Sequence, residues 1–132
     1  MAGSVSQFLS RLGLNQNSAM LLTIIWTAAD NDGTVPATPT SATINPQIEG
    51  WWITKVITHP GSGAAAPTDK YDITLVDMDG LDIAAGTLVD RSSTVPEQAT
   101  MAVQIGTNGF TFTLVNNSVN SATGVVKLFL NR

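Results

Sequence analysis

Asp77-Met78-Asp79-Gly80-Leu81-Asp82 sets three carboxylates within six residues, and hard cations such as calcium take oxygen ligands of this kind. With Asp69 and Asp72 just upstream, residues 67–83 hold five of the ten acidic side chains. The EF-hand pattern fails on this stretch: its glycine is out of register, and its twelfth position is Leu88 instead of Glu. The competing reading is structural. Asp79-Gly80 is the chemistry of a hairpin turn, with Asp77 and Asp79 accepting hydrogen bonds from the turn backbone and Asp82 facing solvent on the returning strand. The turn reading leads; Asp77, Asp79 and Asp82 stand as the candidate metal ligands. Asp30-Asn31-Asp32-Gly33 is read in the same way.

Other reaction chemistry finds little support. Histidine occurs once, as His59 before Pro60, with no nucleophile elbow and no Gly-rich oxyanion loop. Gly61-Ser62-Gly63 lies in a proline-flanked loop with no helix after it, so it is neither a phosphate loop nor a dinucleotide fingerprint. Asp72, Asp77, Asp79 and Asp82 are near enough in sequence to act as paired carboxylates on a glycoside, but the chain is small for a sugar-sized cleft. The expectation is a non-enzyme with no catalytic residues and no cofactor. Trp26, Trp51 and Trp52 suggest a stacking platform for sugar rings, as in carbohydrate-binding modules. Adjacent tryptophans on a strand face opposite sides, however, so one in the core and one at an interface is the leading alternative.

Composition narrows the partners. The 132 residues are one domain's worth of chain, 43% hydrophobic and only 12% charged, about half the usual charged share. Other subunits covering part of the surface, or a neutral Thr/Asn/Ser surface, would account for that; a homo-oligomer is favoured. The net charge of −4 and six scattered Lys and Arg residues offer no basic stripe for nucleic acid. There is no cysteine, hence no disulfide framework or thiolate. No apolar run reaches membrane-spanning length, and the start of the sequence lacks a secretory pattern, so a soluble, unexported protein is expected.

Two segments must position these groups. Residues 1–19 read as an arm with a short amphipathic helix. Ser4 and Gln7 match a capping box; Val5, Phe8, Leu9 and Leu12 share a helical face, Gly13 closes it and Leu14 makes the accompanying contact. Asn15-Gln16-Asn17-Ser18 is a tether, and the arm either covers its own domain or grips a neighbour. Residues 20–132 read as β: strands over 20–28, 50–59, 71–77, 81–84, 100–105, 110–115 and 124–130, with a proline-interrupted stretch over 35–46. Seven to eight short strands between turn signals predict an all-β antiparallel sandwich or small barrel, jelly-roll-like. Leu21-Leu22, Ile24-Ile25 and Trp51-Trp52 put bulky groups on both faces of their strands. A sandwich strand needs only one apolar face, so the second must meet the arm, a loop or another subunit.

The order of Ile24-Ile25-Trp26-Thr27, Thr58-His59-Pro60-Gly61, Pro67-Thr68-Asp69-Lys70-Tyr71-Asp72-Ile73-Thr74-Leu75, Asp79-Gly80-Leu81-Asp82-Ile83, Phe110-Thr111-Phe112-Thr113-Leu114 and Gly124-Val125-Val126-Lys127-Leu128-Phe129-Leu130 resembles small β proteins encoded among the virion genes of tailed bacteriophages. The likeness covers roughly residues 20–130, and the Pro67–Leu75 run with its Asp-Gly turn is its most distinctive part. It implies a virion structural protein assembled in the host cytoplasm, with the major capsid protein or another virion protein as partner. Capsid decoration or cement by an oligomer, a trimer being expected, comes first; a tail or head–tail connector is the alternative. On this reading Phe8, Leu9 and Leu12 anchor the arm, and Trp51 or Trp52 makes the strand-face contact.

Overall fold

Side chains alternate in and out along the strands, and the apolar ones decide which way each strand faces. In the computed structural model, which describes residues 1–13 and 18–132, this alternation builds two antiparallel sheets. The strands are β1 (Ser4–Arg11), β2 (Ala19–Thr27), β3 (Thr38–Pro39), β4 (Trp52–Pro60), β5 (Asp72–Val76), β6 (Glu97–Gln104), β7 (Thr111–Val115) and β8 (Thr123–Asn131). The larger sheet runs β1-β2-β8-β4-β6 and the smaller β3-β7-β5. Helix among the described residues amounts to one α turn, α1 (Asn45–Ile48), and one 3-10 turn at Gly63–Ala65. The expected antiparallel β-sandwich of seven to eight strands is what forms.

One core lies between the sheets. From the larger sheet come Met20, Leu22, Ile24 and Trp26 of β2, Ile53 and Val56 of β4, and Val126, Leu128 and Leu130 of β8; from the smaller come Ile73, Leu75, Phe112 and Leu114. Trp26 and Tyr71 are both fully buried and meet with ring centroids 5.8 Å apart and planes tilted by 56°, within the range of favourable aromatic pairs.

The expected helical arm is not there. Ser4–Arg11 is a strand, paired with β2 from Ser4↔Thr27 to Arg11↔Met20. A two-turn helix has little stability of its own in water, whereas an eight-residue strand gains a ladder of hydrogen bonds and buries one side of its alternation. Val5 and Leu9 pack inward on the core, while Phe8 points out, so Phe8 and Leu9 do not share a face. Gln7 caps nothing in a helix. Its amide donates to the Pro39 carbonyl at 2.8 Å and accepts from the Ser41 N–H at 3.0 Å, tying the sheet edge to the β3 region. Gly13 does take a positive φ of 83°, but after a strand and not at the end of a helix. Leu14 and Asn15-Gln16-Asn17, the expected cap contact and most of the tether, lie outside the described residues.

The expected hairpin around Asp79-Gly80 is also revised. Gly80 has φ 80° and the turn is tight, with the Gly80 N–H donating to the Asp77 carbonyl at 3.0 Å. Residues 81–84, however, form no ladder, only a single bridge between Val76 and Asp82. The true partner of β5 is β7. The segment 81–91 instead runs along the other edge of β5, where Ile73 N–H donates to Leu88 O and Ile83 N–H to Leu75 O. An edge strand with unpaired N–H groups invites association, and this segment closes that edge.

Candidate interaction face

The acidic block is built into that edge closure. The Asp82 carboxylate does not face solvent: Oδ1 accepts from Leu75 N–H at 3.0 Å and Ala84 N–H at 3.1 Å, and Oδ2 accepts from Gly86 N–H at 3.0 Å. The side chain replaces a strand's carbonyl. Asp77 Oδ1 accepts from Asp79 N–H at 2.9 Å and Leu81 N–H at 3.0 Å, the turn role expected of it. Asp79 is exposed in the turn. Asp72 accepts from Asp90 N–H and from the Asn116 amide. Asp69 accepts from Ser93 N–H at 3.1 Å, and that bond foremost lowers its pKa. Among the described residues no group of three or more His, Asp and Glu side chains converges as a metal would require.

A hollow of about 450 Å³ lies beside the N-terminal residues and Ala29 to Asn31. Its carboxylate is Asp30, which is paired with the Met1 α-amino group. The N-terminal amine, by hydrogen bonding above all, lowers the pKa of Asp30. His59 lies elsewhere, on β4 opposite Val125 of β8.

The tryptophans separate. Trp26 is fully buried and Trp51 nearly so, while Trp52 is 42% exposed. A platform of three indoles therefore does not form. Trp51 is a core residue, leaving Trp52 as the member of the pair that faces outward.

What the strands do build is an apolar surface on the outside of the larger sheet. Registers align its outward residues in rows across the strands. One row runs Ser6, Ile25, Val125, His59; the next Phe8, Thr23, Lys127, Ile57, Gln98; the next Ser10, Leu21, Phe129, Lys55, Thr100. Phe8 is 57% exposed and Ile25 40%, while Leu21, Ile57, Val125 and Phe129 are half-buried. The smaller sheet shows the ordinary alternative. On its outside Thr74 and Thr113 hydrogen-bond to each other, in the neutral polar manner of a solvated sandwich face. The doublets Leu21-Leu22 and Ile24-Ile25 signalled the apolar outer face in the sequence. The arm does not cover it, because β1 lies in the plane of the sheet and contributes Phe8 to the same surface.

Charge on this face has one sign. Lys55 holds its ammonium 4.3 Å from the centre of the Phe129 ring, a cation–π contact that lays its methylene stem along the apolar surface. Lys127 stands between Thr23 and Ile57 in the register. Each of the ten carboxylates falls in a loop, on the smaller sheet or, for Glu97, on the inward side of β6 opposite buried Thr58. No described helix is long and apolar enough to cross a membrane.

No family model matches this sequence, and no curated protein matches it. Among solved structures, a chain of the "Cyanophage Pam1 capsid asymmetric unit" aligns over 98% of this chain and 84% of that one, at 17% identity and a TM-score of 0.38. At that score the likeness carries no argument about function.

Proposed function

We propose that this chain is a virion structural protein of a tailed bacteriophage that works by binding other virion proteins and catalyses no reaction. Its first assignment is capsid decoration or cement, bound to the assembled shell as an oligomer. The carrying observation is the outer face of the larger sheet, where Phe8, Leu21, Ile25, Ile57, Val125 and Phe129 point outward together, Phe8 and Ile25 being the most exposed of them. Exposed contiguous apolar surface of this kind marks an interaction site. The virion as its setting comes from the sequence resemblance over residues 20–130.

The mechanism is thermodynamic linkage. A protein that binds only the assembled shell stabilises it by mass action, by about 2.7 kcal/mol per site at a concentration one hundred times Kd. The sandwich supplies a rigid body, so little ordering entropy is lost on docking. Two measurements test this: detection of the protein in purified particles, and the heat resistance of particles lacking it before and after adding it back. Restored resistance supports cementing. Presence without any gain in resistance favours a tail or connector position, and absence from particles contradicts the proposal.

A further inference from the structure

The apolar outer face of the larger sheet is also the cationic side of an acidic molecule. We infer that it docks on a protein surface of a neighbouring virion subunit that carries Asp and Glu side chains around an apolar centre. This rests on the virion reading above and adds the chemistry of the partner.

The chain has ten acidic residues and a net charge of −4, yet no carboxylate occupies an outward position on β1, β2, β8, β4 or β6. Lys55 and Lys127 both occupy one, and neither has an ion-pair partner among the described residues. An unpaired lysine beside Ile57 or Phe129 gains from a carboxylate brought to it as the surface dries, because the pair then interacts at lower dielectric than in water. Charge complementarity of this sort fixes register and speeds encounter, while the apolar centre supplies affinity.

Other occupants fit less well. A second copy pairing through the same face sets Lys55 and Lys127 against lysines, and like charges across an interface disfavour it. Nucleic acid is bound through many phosphate contacts, whereas this face offers two lysines and an apolar centre.

The test uses the full chain and particles depleted of it, with binding read by co-sedimentation at low and high salt. Three proteins are compared: wild type, the double variant K55E/K127E, and Phe8→Ser. Circular dichroism and a melting curve establish that each variant is folded; if K55E/K127E is not, K55Q/K127Q replaces it. The inference expects charge reversal to weaken binding about tenfold or more at low salt, with the gap narrowing as salt screens it. Phe8→Ser should weaken binding at both salt concentrations. Wild-type binding that charge reversal leaves unchanged overturns the inference while the virion reading stands. No wild-type binding to particles removes both. Charge-sensitive binding to duplex DNA or phosphatidylglycerol vesicles in place of particles overturns the inference in favour of those ligands.

Discussion

Trp26 and Gly124 face each other across β2 and β8, and the indole lies so close over the glycine that a β-carbon added there would stand 2.5 Å from Cε2 and 2.6 Å from Nε1. A glycine in a strand interior weakens the strand unless something needs the space. Here the largest fully buried side chain needs it, and the same indole packs against Tyr71 with ring centroids 5.8 Å apart.

Gly124→Ala should therefore destabilise the fold, although alanine favours strand conformation over glycine. Overpacking of this kind costs about 1–3 kcal/mol. Urea unfolding should show a lower midpoint at unchanged slope. An unchanged midpoint means that the indole can move aside.

Asp82→Ala removes the acceptor of three backbone N–H groups at once. Leu75 is fully buried, and leaving its N–H unsatisfied costs about 1–3 kcal/mol. Hydrogen exchange at Leu75, Ala84 and Gly86 should accelerate well before exchange in β2 or β8. Equal protection in variant and wild type contradicts the edge-closing role.

Calcium should not raise the melting temperature, and EDTA should not lower it. Both Asp82 oxygens and Asp77 Oδ1 already accept backbone N–H groups, so a cation would have to displace them. A concentration-dependent rise in melting temperature would restore Asp77, Asp79 and Asp82 as ligands.

Tyr71 gives a pH dependence. Burial, the largest effect, pushes its phenol up to about 12 from an ordinary value of 10.0, because the interior disfavours the phenolate. Below pH 10 folded and unfolded chains both hold the neutral phenol, and its contribution is fully present. Above that pH the unfolded chain releases the proton first, so stability falls as pH rises toward about 12. Tyr71 is the single tyrosine, so ultraviolet absorbance follows this ionisation directly. Tyrosinate should appear together with unfolding, and Tyr71→Phe should flatten the alkaline loss. Ionisation of the folded protein near pH 10 contradicts the assignment.

The sequence made much of this fold legible through local signals. Ile73 and Leu75 face the core and alternate with Asp72 and Thr74 along β5, with buried Tyr71 just before it. Asn108 and Gly109 have φ of 64° and 65°, as their types demand. Ser4–Arg11 was ambiguous because Val5, Leu9 and Leu12 satisfy a helical period while Val5 and Leu9 also satisfy a strand's. The deciding partner, β2, lies further along the chain, and ladder pairing outweighs a two-turn helix. Asp82 departs from its expected solvent-facing position for a related reason. Its acceptor role depends on residues 81–91 running back along β5 without forming a strand, and no local pattern encodes that path. The doublets Leu21-Leu22 and Ile24-Ile25 did announce a second apolar face. The residues completing it, Ile57, Val125 and Phe129, came into line only through the register of β4 and β8.

The most direct test of the docking role is a reconstruction of intact particles at a resolution that traces strands. The expected result is this sandwich lying with Phe8, Ile25 and Phe129 against a neighbouring subunit and the acidic turn at Asp79 pointing away. A particle in which the protein is bound with the outer face of its larger sheet open to solvent, or one that lacks the protein, would contradict it.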